Sequence, residues 1–216
     1  MKKISVLSLL CSVVLISSFI CACVPKGTVV NTGTNKITED KQQTSSFEPF
    51  YVYEDFQSKK NHYSPSGWMG NIANFEVDVS YNGDSYSGKY CIKMVYKKGG
   101  LQSWAGIYWQ HPPNNWGDKK GGYNLTGATK LTFWAKGNHG REVISEAKVG
   151  GISGKINSDS DVAWIGPVKL TTEWKKYTIN LSKSDLSSIF GGFCIVFKDK
   201  DNPNGCTVYL DEIRYE

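Results

Sequence analysis

Histidine is scarce in this 216-residue chain, with His62, His111 and His139 making up the full count. No cysteine has a histidine or second cysteine at the usual ligand interval, so no zinc site is written in the spacing. No serine or cysteine sits in a nucleophile-elbow motif, which removes the commonest hydrolase pattern. Basic runs and basic helices are missing too. The formal charge of +5 includes Lys2 and Lys3, and nucleic acid is excluded as a partner. Helical periodicity is nearly absent, with one plausible turn at residues 182–189 capped by Ser182 or Ser184. No internal repeat is visible.

Long apolar runs are confined to the start. Met1, Lys2 and Lys3 form a positive segment, and residues 4–20 are an apolar stretch ending in Ile20-Cys21-Ala22-Cys23. A small residue before a cysteine, with a branched apolar residue two places further back, resembles the bacterial lipoprotein signal. That resemblance implies cleavage after residue 22 and lipidation of Cys23, with an ordinary secretory signal or a short anchor as the alternatives. The expectation is an exported chain tethered to a membrane through its N-terminus. Residues 23–46 change to Thr, Asn, Gly, Lys, Gln and Ser and cannot bury enough surface to order themselves, so they read as a flexible linker.

Residues 47–216 hold enough apolar and aromatic side chains for one core. Alternating runs at 75–79, 90–96 and 131–136 predict half-buried strands. Residues 50–56, 164–170, 174–181, 193–197 and 207–213 read as further strands, the last two as a closing hairpin. Residues 61–70 read as a loop, and 142–149 is ambiguous between strand and helical turn. With about ten short strands and Gly-rich turns, the expected class is an all-β, two-sheet antiparallel sandwich. Cys194 and Cys206 could pair across the expected hairpin, leaving Cys91 buried; equally, all three could be reduced core residues.

The aromatic residues gather at 103–117, where Trp104, Tyr108, Trp109 and Trp116 lie beside amide side chains. As a strand, this places Trp104, Gly106, Tyr108 and Gln110 on one face and Ala105, Ile107 and Trp109 on the other, core-directed face. Flat rings beside amides suit a neutral, hydroxyl-rich ligand: the C–H face of a sugar packs on the ring and the amide matches its hydroxyls. Gly106 would leave room for ligand against the backbone. Thr132, Trp134 and Lys136 share a face opposite Leu131 and Phe133 and form a second candidate stretch, although Trp134 could instead lie under a loop. Trp68, Trp116 and Trp164, beside glycines or in loop-like sequence, are further candidates.

The ordered landmarks resemble a known group. A Tyr-Glu-Asp strand at 53–55, Ser-Gly-Lys-Tyr-Cys-Ile-Lys at 87–93, Trp-Ala-Gly-Ile-Tyr-Trp-Gln at 104–110, Leu-Thr-Phe-Trp-Ala-Lys-Gly at 131–137 and Val-Tyr-Leu-Asp-Glu-Ile at 208–213 come in sequence. Together they resemble galactose-binding-like β-jelly-roll domains, including the carbohydrate-binding modules of bacterial polysaccharide-degrading enzymes. The resemblance implies noncatalytic, monomeric binding of a polysaccharide or oligosaccharide. It also implies a structural calcium ion, for which Asp211, Asp55 or Glu54, and the turn at Gly88 are the matching positions; hard oxygen ligands suit that ion.

Two rivals are distinguishable in advance. Tyr108 and Trp134 exposed together would favour glycan binding, whereas their burial with an apolar patch elsewhere would favour a protein partner. Two carboxylates converging in a cleft, drawn from Glu142, Glu146, Asp159 and Asp161, would favour a glycan-cleaving enzyme.

Overall fold

The computed structural model describes residues 47–216; the expected leader at 1–22, the lipidation site Cys23 and the linker at 23–46 lie outside the described residues. In chain order the strands are β1 (Phe50–Tyr53), β2 (Ser64–Gly70), β3 (Phe75–Tyr81), β4 (Cys91–Tyr96), β5 (Trp104–Gln110), β6 (Lys130–Gly137), β7 (Val143–Ile144), β8 (Glu146–Gly150), β9 (Val162–Ile165), β10 (Val168–Lys169), β11 (Lys175–Asn180), β12 (Gly191–Lys198) and β13 (Cys206–Tyr215). A 3-10 turn at Ile72–Asn74 is the only helical element among the described residues. The strands form a sandwich. The front sheet runs β2-β5-β12-β8-β9, and the back sheet runs β11-β6-β13-β4-β3, with β1 also paired to β13. Every strand pair is antiparallel.

The alternation places the core. Ile92, Met94 and Tyr96 of β4 and Leu131, Phe133 and Ala135 of β6 turn inward from the back sheet, and Ile107, Trp109, Phe193, Ile195 and Phe197 meet them from the front. Phe193 links the sheets, with ring centroids 5.3 Å from Phe133 and 5.6 Å from Trp109. Each such fully buried apolar side chain contributes about 2 kcal/mol through lost water contact.

The all-β sandwich is as expected, and several local expectations are corrected. Residues 61–70 are not a loop: β2 forms an edge strand on β5, where Pro65 is tolerated because an edge leaves one side unpaired. The run 164–170 is interrupted at Gly166-Pro167 into β9 and β10. Residues 182–189 form no helix, because their backbone bonds elsewhere: Leu186 accepts the Leu125 N–H, and Ile189 exchanges hydrogen bonds with Tyr123. The expected closing hairpin is absent, since β12 pairs with β5 and β8 while β13 pairs with β6, β4 and β1 in the other sheet. Residues 199–205 therefore arch between sheets. Cys194 and Cys206 end on different sheets, and with Cys91 they are buried free thiols. Burial pushes each thiol up to about 12, so all three stay protonated.

Candidate functional site

Sheet register builds the outer face of the front sheet row by row. One row crosses β9, β8, β12 and β5 as Trp164, Lys148, Cys194 and Tyr108. The next carries Glu146, Val196, Gly106 and Met69, and a third pairs Lys198 with Trp104. Trp104 and Trp164 thus share a face, three strand intervals apart across the sheet, about 14 Å at ~4.8 Å per interval, and in addition four residues apart along the strand direction.

The middle of this face is a thin apolar layer. Tyr108, Ile152, Phe190, Cys194 and Val196 are buried together there, with Met69, Trp104 and Trp116 packed against them. Tyr108 is 3% exposed; its hydroxyl donates to the Gly150 carbonyl at 3.0 Å and its ring meets the edge of Trp116 at 5.7 Å. The space expected above Gly106 is filled, because a Cβ there would lie 3.0 Å from Val196 Cγ2 and 3.3 Å from Met69 Cε. Gln110 is fully buried, donating to the Asn115 carbonyl at 3.0 Å and accepting from the Ser66 hydroxyl at 3.1 Å. Tyr108 and Gln110 therefore support the face from below and do not present groups to a ligand.

The open part lies toward β9. Trp164 is 61% exposed and Val162, on the same side of β9, 50%. Beside them Glu146 pairs with Lys148 at 3.0 Å and Lys198 at 3.8 Å, and Lys148 Nζ stands 5.4 Å from the Tyr108 ring centre. An exposed indole thus borders an array of two ammonium groups and one carboxylate. No motif in the sequence marks this array as a binding group. The alternation of Glu146 and Lys148 in an ambiguous segment was its one signal, and pairing with Lys198 is visible only once β12 lies beside β8.

The other predicted residues do not join this face. Thr132, Trp134 and Lys136 lie on the outer face of the back sheet, because β6 belongs to that sheet and its outward side is opposite the core. Thr132 is 1% exposed and donates to Glu216 Oε1 at 3.1 Å. Trp134 is stacked under Tyr86, with centroids 3.7 Å apart and planes at 15°, so a loop covers it. Lys136 pairs with Asp84 and lies 5.2 Å from the Trp174 ring centre and 5.3 Å from that of Tyr209. The indole N–H of Trp174 has no partner among the described residues. Trp68 pairs with Ile107 in register, so it leans over the core edge against Phe75 at 5.8 Å, away from the Trp104 side. Trp116 does belong to the front face, where it is half-buried against Tyr108.

The proposed calcium ligands are close together but hold other partners. Asp55 accepts the main-chain N–H groups of Phe56, Lys89 and Tyr90, and Asp211 those of Tyr86, Ser87 and Glu212. Glu54 accepts from Ser58 and pairs with Lys60. Gly88, at φ +60, lets Asp55 approach where a side chain would collide, and its carbonyl accepts the Ser85 hydroxyl at 3.3 Å. Three N–H donors take most of the acceptor sites on each aspartate, and Glu54 is turned to Ser58 and Lys60, so the four residues as placed do not fit a calcium cage; Asp55 and Asp211 tie the loop at residues 82–90 to the sheet.

Three of the four candidate catalytic carboxylates are likewise tied to main chain. Glu142 accepts from His139 and Arg141, Asp159 from Ile152, Phe190 and Gly191, and Asp161 from Val162 and Asp185. Burial raises the Asp159 carboxyl against those N–H bonds. Glu146 remains on the open face with its two lysines.

No family model matches the chain, and no curated protein does. Among solved structures, a family 30 carbohydrate-binding module is similar at a TM-score of 0.55 and 14% identity, covering 78% of this chain and 87% of that one. The family 30 module of a cellulosomal cellulase of Clostridium thermocellum is similar at 0.52 and 16%, covering 78% and 97%. At these identities the likeness concerns architecture, and the chain has the β-sandwich fold of carbohydrate-binding modules.

Proposed function

We propose that the chain is a noncatalytic carbohydrate-binding module that holds a polysaccharide on the outer face of its front sheet. The observation that carries this reading is the exposed Trp164 beside the Lys148, Glu146 and Lys198 array, on the fold of carbohydrate-binding modules. The indole offers an apolar plane for the C–H face of a sugar ring, and the charged groups offer donors and an acceptor for its hydroxyls. Half-buried Trp104 marks the other side of the same face, so the ligand would be a chain of several sugars lying across the strands.

The experiment is a tryptophan-fluorescence titration of the full chain against plant, fungal and bacterial polysaccharides. Saturable binding to one class, lost in Trp164→Ala and kept in Trp134→Ala, is the expected result. Binding that survives Trp164→Ala overturns the assigned face.

A second reading has an observation in its favour. Tyr108 is buried, Trp134 is covered, and Val162 with Trp164 forms an exposed apolar edge, the pattern that suits a protein partner. The titration separates the two, because no response from any polysaccharide moves the weight to that partner. As part of the proposal, residues 1–22 direct export and Cys23 carries a lipid that tethers the module to a bacterial membrane. Metabolic labelling with a radiolabelled fatty acid, lost in Cys23→Ala, tests this.

A further inference from the structure

Away from the front face, a cleft of about 690 Å³ opens where the chain following β4, the loop after β6 and the arch between β12 and β13 meet. Two buried polar side chains fix its walls. Asn202 exchanges hydrogen bonds of 2.9 and 2.8 Å with the main chain of Val143, which holds the arch against β7. Glu142 accepts the N–H groups of His139 at 2.7 Å and Arg141 at 3.0 Å, which holds the loop after β6. Gly205, at φ +74, seats the arch on the end of β4, since a Cβ there would lie 2.5 Å from the Tyr96 carbonyl oxygen. These main-chain bonds form the cleft in advance, without a ligand.

The lining is rich in cations. Lys97, Lys98 and Arg141 line it, and Lys98 and Arg141 form no ion pair with an aspartate or glutamate among the described residues. Lys97 pairs with Glu76 at a site where both side chains are more than 60% exposed, an arrangement worth little and readily exchanged. Two carboxylates also line the cleft: Glu142, whose oxygens are turned to the main-chain N–H groups of His139 and Arg141, and Asp201, so the three cations exceed the anions by one.

We propose that this cleft is a second binding site, which takes an anionic oxygen substituent, carboxylate or sulfate ester, through Arg141, Lys98 and Lys97. Resting on the reading of the chain as a carbohydrate-binding module, the substituent belongs to an acidic polysaccharide. Arg141 supplies the planar fork that matches such a group, and the lysines supply adjacent point charges.

The test titrates the full chain with polygalacturonate, dextran sulfate and an uncharged dextran at low salt. Tight binding to polygalacturonate alone identifies a carboxylate and to dextran sulfate alone a sulfate ester. Either is expected to weaken by at least roughly tenfold in the Lys98→Glu/Arg141→Glu variant, whose changes are at the surface. A Lys175→Glu/Lys183→Glu variant, changed at exposed positions outside both sites, should leave this affinity unchanged, and uncharged polysaccharides read through Trp164→Ala test the front face separately, so the two readings fail independently. Acidic polymers bound no more tightly than dextran overturn the proposal. So does binding that survives charge reversal at Lys98 and Arg141, which would mark attraction to the general charge of the molecule.

Discussion

The two outer faces of the sandwich carry similar materials and use them differently. On the back sheet, Trp134, Trp174 and Lys136 are gathered beneath the loop at residues 82–90, which supplies Tyr86 as a stacking ring and Asp84 as a counter-ion. On the front sheet, Trp164 keeps most of its ring exposed, and the lysines beside it share one glutamate on their own sheet. The difference teaches that aromatic and polar content does not make a binding face. A ring already stacked by its own chain has satisfied its apolar plane, whereas an open ring has not.

Untying the loop at residues 82–90 would open the rings of the back sheet. Asp211→Ala removes a buried acceptor of three main-chain N–H bonds, at an expected cost of about 3 kcal/mol. A lowered urea midpoint with new proteolytic cleavage within 82–90 is the readout; an unchanged midpoint would show that the carboxylate does not hold the loop. Next, Trp164→Ala should cost about 2 kcal/mol of glycan affinity, roughly thirtyfold, with no change in urea midpoint. Tyr86→Ala gives the reverse pattern, with about 1 kcal/mol lost from stability through the missing stack and glycan affinity unchanged in the same titration.

The pH profile separates two carboxylates by the sign of their effect. Burial pushes the Asp211 carboxyl up to about 7, against the pull of its N–H bonds. The folded state therefore binds more protons than the unfolded one between about 4 and 7, and this group's contribution is full below about 4 and lost as pH rises through about 7. Glu216 has the opposite sign. Burial works against its ionisation, but hydrogen bonds from Arg214, Lys130, Lys176 and Thr132 outweigh it and hold the carboxyl at about 2. Its contribution is present above its ordinary value of 4.5 and lost as pH falls through about 2. Urea midpoints across pH should show Asp211→Asn flattening the limb between 4 and 7, and Glu216→Gln flattening the acid limb.

Strand positions were legible wherever one face of a strand meets the core. The segments β3, β4 and β6 follow from alternation, as does the inward direction of Trp109. What alternation does not encode is the sheet to which a strand belongs. Trp134 and Tyr108 each lie on an outward face, yet the two faces point to opposite sides of the sandwich. Likewise β12 and β13 read as a hairpin because they are adjacent in sequence and both β-rich, and they pair with other strands in different sheets. Coverage by distant chain was equally hidden, as in Tyr86 over Trp134.

The sequence by itself determined the all-β class, the inward and outward sides of the regular strands, and the expectation of an aromatic sugar-binding face, because periodicity and composition act over a few residues. Which outward faces coincide, which rings stay open and where the Lys148, Glu146 and Lys198 array forms are set by the packing of the folded chain. Those outcomes depend on pairing among β5, β12, β8 and β9, which brings together residues far apart in the chain through hydrogen bonds that carry no local sequence mark.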